Sequence, residues 1–294
     1  MKLSIILVSY NTVSLTIQCI QSIYKHCDLR EFEIILVDNA SYDNTVETVK
    51  NTFPLVKIIE SQVNLGFGKA NNLALRIARG EYCFLLNTDT VIIDNSIQKL
   101  VDFLECPQDI SIVGAQLINI KGEPMHSYSL HFPSILWEIN LLCYPILNRF
   151  RYKKKWHLNK YGYFEVAYIT GADMMIRSKD LQSVGYFDDD YFMYFEETDL
   201  SYRFSKKHLR SVFYPAAQII HLEGASFIFK EKRERMYYDS RELFHKKHHG
   251  SFYYYICNCI HSAVLYISYL LCKYLKPSSY DFYKQKYHIF KEYK

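Results

Sequence analysis

The N-terminal third of this chain alternates short, continuous apolar runs with segments of helical periodicity, and that alternation limits the fold more than any other feature. Residues 3–8 (LSIILV), 33–37 (EIILV), 56–59 and 82–86 (YCFLL) have the length and composition of strands. Between the first two, Val13, Ile17, Ile20, Ile23 and Tyr24 recur along one helix face. A second helix is expected from near Asp43, an N-cap type residue. A third is expected over 69–78, closed by Gly80, with a loop at 64–67 before it. Strands that are apolar throughout, separated by helices, predict an α/β fold with a mostly parallel sheet covered on both faces. Ligands of such sheets bind beyond the carboxyl ends of the strands. Three polar clusters stand at those ends: Ser9-Tyr10-Asn11, Asp38-Asn39 and Asn87-Thr88-Asp89.

Composition bounds the rest. At 294 residues, with 49% hydrophobic and 22% charged side chains, the chain can bury a core as one large domain or two small ones. A net charge of +4 is too small to point to a nucleic-acid partner. The eight cysteines are scattered without a CxxC pair, which argues against zinc and thiol-redox chemistry. The first apolar run is too short for a secretory signal, so reduced cytosolic thiols are expected. Residues 125–161 break the alternation. They carry Trp137, Leu141, Leu142 and Tyr144, then a basic cluster (Arg149, Arg151, Lys153, Lys154, Lys155) and Trp156, and read as a lid or a surface contact. The pattern resumes at 163–176, continues with a helix around 179–184 and an aromatic–acidic stretch at 191–203, and closes with a strand-like run ending near His221.

Few side chains in this set suit chemistry. Asp89, at a strand end, is a natural oxygen ligand for a hard cation. Glu196, Glu197 and Asp199 follow an aromatic run, where apolar neighbours would raise a carboxyl pKa and prepare a general base. Each has a plainer reading alone: Asp38 as a turn residue, the three acids as favourable charges at a helix N-terminus, His221 as structural. Gly66-Phe67-Gly68 lacks the third glycine of a dinucleotide-binding loop, since Asn71 stands there, and so argues against a nicotinamide cofactor.

Together, in order, these segments resemble the family 2 glycosyltransferases, and most closely their rhamnosyltransferase-like subgroup. The resemblance runs from about residue 3 to residue 226. It rests on ILVSYN at 6–11, VDNAS at 37–41, NLGFGKANN at 64–72, LLNTDT at 85–90, TGADMMIR at 170–177, FMYFEETDLSYR at 192–203 and HLEGAS at 221–226. It implies the GT-A nucleotide-sugar-binding fold over residues 1–230, followed by a helical, membrane-proximal extension over 231–294. By that resemblance Ser9, Tyr10, Asn11 and Asp38 hold the nucleobase and ribose, with Asn39 and Asn71 supporting the pocket. Asn87-Thr88-Asp89 takes the place of the family's Asp-x-Asp metal motif, so Asp89 would bind a divalent cation, Mg2+ or Mn2+, with His221 completing its shell. Glu197 aligns with the general base, Glu196 is the reserve candidate, and Asp173 faces the donor or acceptor sugar. Asn87 replaces the motif's first Asp, and Glu197 replaces a more usual Asp. The implied reaction is inverting transfer of a sugar from a UDP- or dTDP-linked donor to a glycan or polyprenyl-linked acceptor. The alternative is a catalytically silent nucleotide- or glycan-binding protein of the same fold. A nucleotidyltransferase would need a Lys- and Gly-rich loop after the first strand, and residues 9–14 offer none.

Residues 252–272 (FYYYICNCIHSAVLYISYLLC) contain no Lys, Arg, Asp or Glu and lie between basic residues, among them the cluster Lys246, Lys247, His248 and His249. About 20 residues suffice to cross a bilayer. Asn258, His261 and Ser268 dilute the run, however, and tyrosine favours interfaces. The segment therefore reads as lying on a membrane surface, as buried in protein, or as spanning. The first reading suits a cytoplasmic enzyme peripheral to the inner face of the cell membrane.

Overall fold

The computed structural model describes residues 1–105, 109–139, 162–222, 230–275 and 280–293. The chain divides into two compact units. One comprises Met1–Leu130, Leu158–Phe192 and Glu196–Phe227; the other comprises His131–His157, Met193–Phe195 and Ile228–Lys294.

The first unit is built on a nine-stranded sheet. Strands β1 (Leu3–Ser9), β2 (Phe32–Asp38), β3 (Lys57–Glu60) and β4 (Tyr82–Asn87) pair in parallel in the order β3-β2-β1-β4. Next to β4 lies β10 (Asp173–Arg177), antiparallel to both β4 and β6 (Ile110–Ile118). Strand β11 (Arg210–His221) runs parallel to β6, with β5 (Thr90–Ile92) and β8 (Phe164–Val166) antiparallel on it. A two-stranded ribbon joins β7 (Tyr128–Ser129) to β9 (Tyr168–Ile169).

The continuous apolar runs are explained by burial on both faces. Leu3, Ile5 and Leu7 of β1 meet Ile20 and Ile23 of α1 (Val13–His26), Val49 of α2 (Thr45–Thr52) and Leu100 of α4 (Ser96–Glu105). Ile6, Ile35, Val37 and Leu85 point to the opposite face. There they meet Ala70 and Ala74 of α3 (Phe67–Leu75), Leu181 of α5 (Ser178–Val184), and Leu200 and Phe204 of α6 (Glu196–Lys206). Each such buried Leu or Ile stabilises the fold by roughly 1.5–3 kcal/mol, so register is strongly fixed.

Three local readings shift. Helix α2 starts at Thr45 because the Asp43 side chain bonds the Thr45 amide (3.1 Å) and hydroxyl (2.5 Å), and accepts from Val13 N (3.1 Å) in the neighbouring loop. Helix α3 begins two residues earlier than expected, with Gly66 at its N-cap, and ends at Leu75. Gly80 therefore does not cap it. A Cβ at Gly80 would sit 2.3 Å from the Ser4 amide nitrogen, and the Gly80 N–H donates to Ser4 Oγ (2.8 Å), so glycine there admits the start of β1.

The second unit contains α7 (Lys230–His249), α8 (Ser251–Leu275) and α9 (Tyr280–Tyr293), with Gly250 (φ +89°) breaking the chain between α7 and α8. At its centre Arg241 Nε donates to Glu138 Oε1 (2.7 Å) and Nη1 to Asn258 Oδ1 (2.8 Å), while His261 Nδ1 lies 2.8 Å from Glu138 Oε2. All four side chains are buried. A buried ion pair stripped of one partner costs several kcal/mol, so this network ties α7 to α8. The basic cluster at 149–155, Trp156 and the end of the HLEGAS motif lie outside the described residues. No disulfide forms among the described cysteines, Cys19, Cys27, Cys83, Cys257, Cys259 and Cys272.

Candidate active site

The polar strand ends form one rim of the first unit's sheet. Registers Ser9↔Asp38 and Val8↔Asn87 set the ends of β1, β2 and β4 side by side. Their loops are stitched together: Asn39 N donates to Ser9 O (2.8 Å), Asn11 N to Ser41 Oγ (3.0 Å) and Tyr42 N to Asn11 Oδ1 (2.9 Å). Asn11 and Ala40 sit at φ +55° and +66°, a conformation that these crosslinks sustain. Tyr10 is left exposed on this rim. Asp38 is buried. Its Oδ2 accepts from Ser41 N (3.1 Å), whereas Oδ1 has no partner.

Several sequence-selected side chains are engaged within the protein. Ser9 joins a hydroxyl cluster with Thr12 and Thr16 (3.0 Å each), and Thr12 reaches Thr88 at 3.3 Å. Asn39 organises the next loop, donating to Asn64 Oδ1 and Gly66 O and accepting from Leu65 N. Asn71 is buried and bonds Phe67 O one turn back. Asp173 is fully buried at the rim end of β10 and accepts from Ala115 N (2.6 Å), with Oδ1 unpartnered. Burial lifts its carboxyl well above the ordinary range, partly offset by that amide. These groups shape the rim from behind.

Asp89 and His221 come together although 132 positions separate them. The pairing Thr90↔His221 between β5 and β11 sets this approach, and Leu222 N bonds Asp89 O (2.8 Å). Asp89 Oδ1 and His221 Nε2 are 3.3 Å apart and both partly buried. Adjacent ligands of an octahedral Mg2+-type cation at about 2.1 Å lie about 3 Å apart. The pair therefore fits two neighbouring positions of one hard cation. Among the described residues no third His, Cys, Asp or Glu joins them, so remaining positions would fall to donor oxygens and water.

The acidic stretch opens α6. Tyr194 and Phe195, immediately before it, have φ +69° and +64°, each costing on the order of 1–2 kcal/mol for a non-glycine residue. Neighbouring anchors hold this entry. Phe67 N bonds Phe192 O (2.9 Å), and Asn72 bonds the Phe187 amide and carbonyl and Asp189. Asp199 grips Arg203 Nε (2.8 Å), whose guanidinium also holds the Gly185 and Tyr186 carbonyls. Asp199 is thus committed to structure. Glu196 and Glu197 are not: Oε2 of each is buried without a partner. Burial lifts Glu197 to about 7. Burial, reinforced by the Glu197 charge, lifts Glu196 well above the ordinary range. Two adjacent carboxyls in an apolar setting cannot both ionise cheaply, which separates one proton carrier from one base. The Tyr168 hydroxyl is pushed up to about 12 by burial and then by Glu197, and contacts Ser129 and Thr198. Gly68 of α3 packs closely on the start of α6, because a Cβ on it would lie 3.4 Å from that of Glu196.

Asn72, Tyr168, Thr12 and Thr16 carry no sequence expectation of their own, and Thr88 enters only as the middle residue of Asn87-Thr88-Asp89. Of the first four, Asn72 lies inside a quoted motif, the NLGFGKANN segment, which could have pointed to it.

The fold has known counterparts. The glycosyl transferase family 2 model matches residues 4–185. The N-acetylglucosaminyl-diphospho-decaprenol L-rhamnosyltransferase of Mycobacterium tuberculosis is 25% identical over 211 residues, which cover 67% of this chain and 68% of that protein. Rhamnosyltransferase WbbL of Escherichia coli is 25% identical over 233 residues, covering 73% of this chain and 87% of that one. Among solved structures, the mannosyltransferase PcManGT of Pyrobaculum calidifontis in complex with GDP-Man and Mn2+ aligns over 99% of this chain and 84% of its own, with a TM-score of 0.61 at 16% identity. GalNAc-T7 with UDP, GalNAc and Mn2+ aligns at a TM-score of 0.59 and 17% identity over 80% of this chain, which spans 47% of that longer protein. The sheet order and the helices on both its faces are those of the GT-A fold. With a family model spanning well over half the chain, the protein belongs to glycosyl transferase family 2 and is a glycosyltransferase.

Proposed function

We propose that the enzyme transfers a hexose or deoxyhexose, rhamnose foremost, from a UDP- or dTDP-linked donor to a polyprenyl-linked glycan in surface polysaccharide assembly. The reaction is placed at the cytoplasmic face of a membrane, with residues 1–230 as the catalytic part and 231–294 as the membrane-proximal extension. The names of the mycobacterial and Escherichia coli relatives support the sugar, and the mycobacterial name supports the lipid-linked acceptor.

In this reading Tyr10, Asn11 and the free oxygen of Asp38 receive the nucleobase and ribose, with Ser9, Asn39 and Asn71 holding the loops that present them. Asn87 and Asp173 border the sugar. Asp89 and His221 would hold the Mg2+ or Mn2+, whose chemistry there is to offset the charge of the departing diphosphate. Glu197 takes the proton of the acceptor hydroxyl as its oxygen bonds the anomeric carbon and the bond from that carbon to the diphosphate oxygen breaks, inverting the centre. Burial and the Glu197 charge disfavour ionisation of Glu196 beside it, which keeps the site from carrying two negative charges.

The carrying observation is the adjacent Glu196–Glu197 pair, each with a buried, unpartnered Oε2 and a carboxyl raised above the ordinary range. The test is transfer from a panel of UDP- and dTDP-sugars to polyprenyl-diphosphate-linked N-acetylglucosamine with Mn2+ or Mg2+, followed by chromatography. One donor should yield a glycosylated lipid. Hydrolysis or transfer that persists undiminished in Glu197→Gln would overturn the assignment of the base.

A further inference from the structure

Helix α8 is apolar on its outer side as well as its inner one, where Cys257, Val264 and Leu265 are buried. Its polar side chains Asn258, His261 and Ser268 are buried, and the first two close on Arg241 and Glu138. Its outward positions include Phe252, Tyr255, Cys259, Tyr266, Leu270 and Tyr274, with Phe252 and Tyr274 more than three-quarters exposed. At about 100° per residue these fall within roughly 60° of one line along the helix, a continuous apolar and aromatic stripe. No Lys, Arg, Asp or Glu interrupts it before Lys273.

The neighbours of α8 exclude a simple bilayer span. On one side α7 presents Tyr238 and Arg241 to His261 and Asn258. On the other, Tyr280 and Tyr287 of α9 pack on Tyr266 and Tyr269. Helices α7 and α9 are themselves joined by charged pairs, Lys286–Glu234 (3.3 Å) and Arg235–Glu292 (3.7 Å). Packed along both halves of α8, such helices would have to enter the hydrocarbon with it, at a cost of several kcal/mol per charge. One stripe on one side of a charged helical unit instead matches a helix lying in the plane of the interface, where tyrosine is favoured.

The charge balance names the surface. Residues 230–294 hold 13 Lys and Arg against six Asp and Glu, a net of +7, although the whole chain is only +4. We propose that α8 lies flat in an anionic phospholipid surface, immersed along the stripe from Phe252 to Tyr274. This rests on the membrane reading under Proposed function and specifies its geometry: the unit lies on the bilayer and does not cross it.

The test places a polarity-sensitive fluorophore on the native Cys259, and separately on Tyr255→Cys, Ala263→Cys and Leu270→Cys, with other reactive thiols changed to serine. Full-length protein is mixed with phosphatidylcholine vesicles containing about one quarter phosphatidylglycerol, and depth is read with quenchers at defined acyl positions. All four labels should report one shallow depth, and binding should fall at least 10-fold in neutral vesicles or in 1 M salt. Phe252→Asp with Leu270→Asp should lower partitioning at least 10-fold while leaving the melting curve unchanged. Depth that deepens toward Ala263 and shallows again would show a span and overturn the proposal. So would absence of binding, or labels shielded by self-association without lipid. Donor-dependent thermal shifts in the same samples report the glycosyltransferase site separately, so loss of membrane binding with intact donor binding sinks only this inference.

Discussion

At the scale of single residues, the division of labour between Glu196 and Glu197 makes a prediction with a definite sign. A general base works only when ionised, and burial raises Glu197 to about 7. As pH falls through 7 the carboxylate takes up a proton, so kcat/KM should decline below that point and level off above it. Glu197→Gln keeps shape but accepts no proton, and should reduce turnover by about 10²-fold or more with the donor KM nearly unchanged. Burial and the Glu197 charge both push the Glu196 carboxyl toward its neutral form, so Glu196→Gln, which fixes a neutral group there, should leave the rate within a few-fold. Steady-state kinetics from pH 5.5 to 9 on the three proteins separates these cases. If Glu196→Gln is the crippling change, the roles are reversed. The choice of Glu197 over Glu196 rests on the family resemblance, and spacing alone does not set the pair apart from Asp199, which looks equivalent until Arg203 is seen bonded to it. Nor can spacing reveal that Asp89 and His221 meet, because an edge-strand pairing brings them together.

At the scale of elements, the site depends on how α3 meets the segment leading to α6. Gly66 is the tightest point: φ is +79°, and a Cβ would fall 2.0 Å from the Phe192 carbonyl oxygen, which also accepts the Phe67 N–H. Gly66→Ala meets backbone rather than a movable side chain, and its backbone (φ +79°, ψ −170°) lies in a region essentially reserved for glycine, at a cost of roughly 1–3 kcal/mol. The variant should lose at least about 2 kcal/mol of stability in urea titration, and turnover should drop because the entry to Glu196 and Glu197 shifts. Stability equal to wild type would show that the two segments separate readily. The same contact marks where sequence reading reached its limit. Strands, helices and the parallel half of the sheet follow from local periodicity, which apolar runs of four to six residues express directly. The antiparallel insertion of β10 between β4 and β6, the true role of Gly80 against β1, and the hydroxyl cluster of Thr12, Thr16 and Thr88 arise from contacts between distant segments, and no local pattern encodes them.

At the scale of the whole molecule, a ligand held by segments this far apart in sequence should appear as stability. Ser9 and His221 are more than two hundred positions apart, yet the first unit brings their strands into one sheet. Anything bound there favours the folded state by mass action. At a hundred times its dissociation constant a donor adds about 2.7 kcal/mol, and a domain of this size gains roughly 2–4 °C per kcal/mol. The correct nucleotide-sugar with Mn2+ should therefore raise the melting temperature by roughly 5–10 °C, and chelation with EDTA should remove the metal-dependent part. Asp89→Ala makes the argument specific. The backbone carbonyl of Asp89 still receives the Leu222 N–H in that variant, so the strand pairing survives and the unliganded melting temperature should remain close to wild type. What should vanish is the difference between Mn2+ and EDTA. A full Mn2+-dependent rise in Asp89→Ala would mean that the cation is held elsewhere, and that the 3.3 Å approach of Asp89 to His221 is a structural ion pair.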